Sequence, residues 1–209
     1  MGERVALVFL FLLLSGCVSE QYVTDTYNRP GWFGYIEEDV SGFDGAKTIK
    51  LIPAYLNAAD TSLLLGARWS TKFPSDKYAL IVDVSDALNF EPAETLSFRI
   101  DDYFLSLQPV NPRDYGSAQQ RFVGDDASVF STNPVVSAGL TTTKEYWINR
   151  QELESLLRSE SAFMRVFLIN DEYLEGEVET YLDGDERMAF ITAKQALRRF
   201  LSRVDRVRR

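Results

Sequence analysis

Four groups of side chains in this 209-residue chain have types and spacing that bear on chemistry. The densest acidic cluster, Asp183-Gly184-Asp185-Glu186, offers the carboxylate oxygens that calcium selects, and the pairs Asp101-Asp102 and Asp125-Asp126 make a smaller offer. None has the spacing and terminal bidentate glutamate of an EF-hand loop. The cluster at 183–186 lies between two strand signals and reads as a solvated hairpin turn. Paired carboxylates also serve glycoside hydrolysis, where their separation in space decides the reaction, and spacing along a chain does not fix that separation. Ser75-Asp76-Lys77 is the nearest approach to a serine-lysine nucleophile pair, but it departs from the Ser-x-x-Lys arrangement and reads as a turn before a strand. The fourth group is the only cysteine, Cys17.

Absence narrows the chemistry further. The chain has no histidine, so a Ser-His-Asp triad, a Cys-His pair, imidazole base catalysis, histidine-bound zinc and histidine-ligated haem are all excluded. Gly31-Trp32-Phe33-Gly34 neither follows a strand signal nor opens a capped helix, so it is no phosphate loop. No catalytic residue, metal-ligand set or cofactor is assigned.

Cys17 closes a ten-residue apolar run, Val5 to Leu14, that starts behind a short head carrying Glu3 and Arg4. Ten helical residues reach only ~15 Å, about half the hydrocarbon thickness, so the run is a secretory signal and not a span. Leu14-Ser15-Gly16-Cys17 resembles the lipobox of bacterial lipoproteins, in which a large aliphatic, two small residues and a cysteine direct diacylglycerol attachment before cleavage. The resemblance covers the first seventeen residues and implies Cys17 as an acylated mature N-terminus. Val18 and Ser19 replace the aspartate that holds Gram-negative lipoproteins at the inner membrane, which implies the periplasmic leaflet of the outer membrane. Two or three acyl chains would tether the protein stably, since each buried methylene contributes about 0.8 kcal/mol. An acylated Cys17 would leave no thiol for a disulfide, so stability must come from a core that 45% apolar and 13% aromatic residues can build.

The elements that must position any site are mostly strands. Apolar and β-branched runs bounded by turn residues predict strands over 47–56, 62–69, 78–85, 95–100, 103–107, 140–148, 163–169, 173–182 and 187–191. Ala79-Leu80-Ile81-Val82 is apolar on both faces and marks a central strand, and Asp101-Asp102 can close a tight hairpin. Short connections make antiparallel pairing the default. From Asn111 to Gly139 turn residues dominate, and part of that stretch is expected to pair as an edge strand. Asn149 with Glu152 and Thr192 with Gln195 have capping-box spacing, predicting a short helix at 150–159 and a C-terminal helix at 193–207. The expected fold class is α+β, predominantly antiparallel β in two packed sheets. Its organisation is a signal at 1–16, a lipidated tether and aromatic arm at 17–46 and one β-rich domain at 47–209.

On the last helix, Ala196, Leu197, Phe200, Leu201, Val204 and Val207 share one arc, and arginines fill most of the rest. Residues 192–209 carry seven cations against Asp205, a net +6 that leaves −15 on the rest of a chain of net charge −9. Packing on the sheet is the expected fate of the apolar arc, with Arg198, Arg199, Arg203 and Arg206 as a candidate face for an anion or acidic partner. Trp32, Phe33 and Tyr35 are a candidate partner-binding arm. These features point to a non-catalytic binding or assembly module of the cell envelope, held to the membrane by its acyl chains and meeting an envelope protein or anionic glycolipid. Nucleic acid is disfavoured by the acidic body. The alternative is a carboxylate-dependent hydrolase of envelope polysaccharide, which requires a cleft with two inward carboxylates, one with a raised pKa.

Overall fold

A computed structural model describes residues 30–56, 63–85, 88–125, 135–178 and 191–209, with no side-chain detail for 119–125 and 135–139. Cys17 and the Asp183–Glu186 cluster lie outside these residues, as do 179–182 and 187–190 of the strand signals at 173–182 and 187–191. Ten strands follow in chain order: β1 (Ile36–Val40), β2 (Lys47–Tyr55), β3 (Leu63–Ser70), β4 (Lys77–Ser85), β5 (Leu96–Ile100), β6 (Tyr103–Leu107), β7 (Ser117–Asp125), β8 (Val135–Asn149), β9 (Ala162–Phe167) and β10 (Tyr173–Glu177). Two helices join them, α1 (Arg150–Arg158) and α2 (Ala193–Arg208). A six-stranded sheet has the order β1-β2-β3-β4-β8-β7, and a four-stranded sheet the order β10-β9-β5-β6. Every strand pair is antiparallel.

The protein is therefore an α+β domain, mostly antiparallel β, built on two sheets. Its single apolar core forms where the inner faces meet, Leu65, Ala67, Leu80 and Val82 from the large sheet with Leu96, Phe98, Met164 and Val166 from the small one. β4 lies centrally and is buried on both faces from Tyr78 to Val84, as its unbroken apolar run requires. β5 and β9 instead alternate, burying Phe98 and Met164 while Arg99 and Arg165 face water. β7 is the edge strand expected within the turn-rich stretch, and it pairs along its whole length with β8.

Two irregularities have local causes. Pro53 has no N–H for a ladder, and it sits where the β2–β3 register shifts between Leu51 and Ala54. Gly66 faces that bulge, where a Cβ would come within 2.6 Å of the Leu51 carbonyl oxygen. β1 is the larger surprise: Ile36–Val40 pairs with β2 from within the stretch read as an arm. Its sequence, Ile-Glu-Glu-Asp-Val, has low β-propensity in the middle, and pairing with β2 overrides it.

Both helices start as their caps dictate. Asn149 Oδ1 accepts from the Glu152 amide at 2.8 Å and Glu152 Oε2 from the Asn149 amide at 2.8 Å. Thr192 and Gln195 make the same reciprocal pair at 3.3 and 3.4 Å. α2 lies on β2 and β3 with Ala196, Leu197, Phe200, Leu201 and Val204 buried, and α1 packs on β8 and on α2. Each large side chain so buried contributes about 1.5–3 kcal/mol.

Candidate functional site

Because α2 buries its apolar arc, its arginines must face outward, and β1 runs alongside them. Ile36 and Glu38 from β1 with Arg198, Arg199, Ser202, Arg203 and Arg206 from α2 line an open cleft of about 500 Å³. The four arginines read from sequence as one face are thus brought together, and a strand edge joins them.

Their partners differ. Arg203 Nε donates to Glu38 Oε1 across the cleft, and this bond, with the charges of Arg203 and Arg206, holds the Glu38 carboxyl below its ordinary range. Arg198 Nη2 donates to the Leu157 carbonyl oxygen at 2.6 Å, closing an open group in the last turn of α1. Arg206 is exposed and makes no hydrogen bond or ion pair among the described residues. Arg150, outside the cleft, forks onto Asp205 at 2.5 and 2.9 Å and ties α1 to the last turn of α2. The cleft therefore combines arginines committed to the fold with guanidinium surface able to meet carboxylate or phosphate.

β1 adds backbone groups. The Tyr35 carbonyl accepts from the Ile52 amide at 2.8 Å and the Ser41 amide donates to the Ala46 carbonyl at 2.9 Å. Alternation along an antiparallel strand then turns the N–H and C=O groups of Ile36, Glu38 and Val40 away from β2, at the terminal position of the sheet. Such an edge can accept another strand.

The candidate arm packs at the head of this edge. Trp32, Phe33 and Tyr35 are all half-buried, Phe33 lies 4.6 Å from Tyr55 between ring centroids, and the Tyr35 amide closes a turn onto the Trp32 carbonyl. Between them Gly34 takes φ +76° and presses on Ile191, whose Cγ2 a Cβ would meet at 2.2 Å.

Two buried lysines were not singled out from sequence. Lys194 is 1% exposed and donates to the Ser159 carbonyl at 2.7 Å and to Ser159 Oγ at 3.2 Å, while that hydroxyl donates to the Leu156 carbonyl at 2.8 Å. Burial, reinforced by Arg198, lowers the Lys194 pKa. A serine-lysine nucleophile needs the lysine to receive the hydroxyl proton from an accessible serine. Here the hydroxyl is buried and its proton is directed at a carbonyl, so the pair locks the end of α1 to the start of α2. Lys144, also 1% exposed, donates to the Glu91 and Pro92 carbonyls at 2.5 and 2.7 Å, and burial lowers its pKa as well. Both carried a signal: Lys144 shares strand parity with Tyr146 and Ile148, and Lys194 falls on the apolar arc of α2. The outer face of the small sheet was also missed. There Arg99 lies over Phe163 at 4.6 Å and Arg165 over Tyr173 at 4.5 Å, with Phe104 exposed beside them.

Asp101 takes φ +47° in the β5–β6 hairpin, and its Oδ1 accepts from the Glu160 and Ser161 amides at 3.1 and 2.9 Å, so its role is to hold a strained turn. Asp126 lies outside the described residues, and Asp76 accepts from the Arg150 amide through its backbone at 3.0 Å. Among the described residues no three possible ligand side chains converge on a metal-sized point. The described carboxyls with a resolved shift, Glu38, Asp44 and Asp205, are all lowered by cationic partners, opposite to the shift a general acid needs. Comparison of the chain with protein-family models, with curated proteins and with solved structures finds no match.

Proposed function

We propose that the protein is a lipid-tethered, non-catalytic binding module of the cell envelope that holds an acidic, extended segment of another envelope component in the cleft between β1 and α2. The lipobox-like leader and Cys17 supply the address, with the periplasmic leaflet of the outer membrane as the expected location. One observation carries the reading: a strand edge with outward backbone groups lies beside four arginines on one helix face. An added strand would pair with β1 through backbone bonds, and its acidic side chains would meet the arginines, which gives charge selectivity to an otherwise general mode of pairing.

A photocrosslinking side chain placed at Ser202 in the intact protein, in its native envelope, tests this. The expected result is a discrete adduct whose cross-linked peptide is acidic and which Arg206→Glu abolishes. An adduct unaffected by Arg206→Glu, or none at all, would overturn the proposal.

A further inference from the structure

One end of the domain gathers features that the cleft does not use. The β1–β2 hairpin, the turn from Thr71 to Asp76 between β3 and β4, and the C-terminal end of α2 all lie there. The pairings Val40 with Lys47, Thr48 with Ser70 and Lys77 with Asn149 fix the strands, and Arg208, 5.1 Å above the Trp69 ring, fixes the helix.

At the tip of the hairpin Phe43 is fully exposed, at 105%, and Val40 beside it is 61% exposed. The loop that presents Phe43 is tightly bonded. The Ser41 amide donates to the Ala46 carbonyl at 2.9 Å, the Gly45 amide to the Ser41 carbonyl at 2.9 Å and the Ala46 amide to Asp44 Oδ1 at 3.1 Å. A phenyl ring is thus held out in water by an ordered turn, with no described side chain covering it. Cations from three elements stand at the same end. Lys47, Lys77 and Arg209 make no ion pair among the described residues, and Arg208 is stacked on rings. Of the acidic groups at this end, Asp44 is paired with Lys72 at 2.5 Å and Asp205 with Arg150 at 2.5 Å, which leaves Asp39, Asp76 and Glu152 against Lys47, Lys77, Arg208 and Arg209. This end is therefore net cationic on a chain of net charge −9.

An aromatic tip at the same end as unpaired basic side chains matches a bilayer interface, where the ring enters at headgroup depth and the cations meet lipid phosphate. We propose that this end of the domain docks on an anionic phospholipid surface, with Phe43 inserted and Lys47, Lys77 and Arg209 on the headgroups. Docking goes beyond the tethered-module reading and leaves the β1–α2 cleft for its own partner. The chain enters the domain at the opposite end of β1. The thirteen steps from Cys17 to Pro30 can extend to about 43–47 Å, more than the ~30 Å length of β2, so a tether at Cys17 would permit this orientation.

The test uses the full chain with a polarity-sensitive fluorophore on Phe43→Cys or, as control, on Ala93→Cys in the loop after β4. Cys17, if found unacylated, is replaced by serine so that the label is single. The expected result, on vesicles of phosphatidylcholine with phosphatidylglycerol, is a blue-shifted and iodide-protected label at 43 but not at 93. On phosphatidylcholine alone neither label should change. Neutralising Lys47 or Lys77 to glutamine should each weaken the response about fivefold. Equal responses at both positions, an equal response on neutral vesicles, or no response would overturn docking. So would inhibition by inorganic phosphate beyond that of chloride at equal ionic strength, which would assign the cations to a free anion. The cross-link at Ser202 reports on a different surface, so either proposal can fail alone.

Discussion

Arg150 and Asp205 join the first residue of α1 to the last turn of α2 through two parallel hydrogen bonds of 2.5 and 2.9 Å. The fork sits at the cationic end of the domain and ties α1, which packs on β8, to α2, which lies on β2 and β3. It also keeps the Asp205 carboxyl below the ordinary aspartate range, the bond from Arg150 being the main cause.

Stability linked to Asp205 is present above the unfolded aspartate value, near 4, and is lost as pH falls through the lower folded value. Asp205→Asn should cost about 1 kcal/mol at neutral pH, since the pair is partly exposed, and should shrink the difference from wild type in acid. Urea unfolding at several pH values checks both. An unchanged gap between the two proteins at acid pH would show that the fork does not carry the linkage.

Tyr146 predicts the alkaline limb. Burial raises its pKa above the ordinary tyrosine value, so stability linked to it is complete below about 10 and declines as pH rises toward the higher folded value. Tyr146→Phe should flatten that decline while costing little at neutral pH. Thermal melts from neutral to alkaline pH measure it, and Tyr78, also raised by burial, should leave a residual slope.

Gly34 cannot accept a side chain. Its φ of +76° and the approach of Ile191 Cγ2 to within 2.2 Å of a Cβ predict that Gly34→Ala costs about 1–3 kcal/mol through overpacking, with strain added. Hydrogen exchange should show the loss concentrated in β1 and the start of α2. A loss spread evenly over the small sheet would argue against this contact as the cause.

Phe200 anchors α2. It is wholly buried and meets Tyr78 edge-on at 6.2 Å, so Phe200→Ala should cost about 3–5 kcal/mol and loosen the arginine face. Denaturant unfolding gives the magnitude. Loss of the Ser202 cross-link in a variant that remains folded would connect helix seating to the cleft.

Asn149→Ala removes the side-chain half of the α1 capping box, leaving the Asn149 amide to donate to Glu152, and should cost about 1 kcal/mol, whereas Asn149→Asp should recover most of it. Paired thermal melts decide whether the side-chain oxygen is the source.

Local physics was legible along the chain because it repeats at short range. The capping boxes at Asn149 and Thr192, the unbroken apolar run of β4 and the arc from Ala196 to Val204 each encode an element within a few residues, and the structure places all of them accordingly. The same periodicity put Arg198, Arg199, Arg203 and Arg206 on one face before any partner for them was known. β1 had no such signal, because three acidic residues in five suppress strand propensity and only the partner strand β2 supplies the bonds that form it. Which arginines are spent on the fold was likewise invisible, since Glu38 and the Leu157 carbonyl are distant in sequence.

By itself, then, the order of residues determined the acidic body with its basic end, the removal of histidine chemistry and the identity of nearly every described element. Tertiary structure alone decided that a strand edge would lie along the arginines, that Lys194 would meet Ser159 in the interior, and that Phe43 would share one end of the domain with cations drawn from three elements. The physical reason is range: periodicity and caps act between neighbours, whereas charge pairing, burial and exposure depend on which distant segments the core brings together.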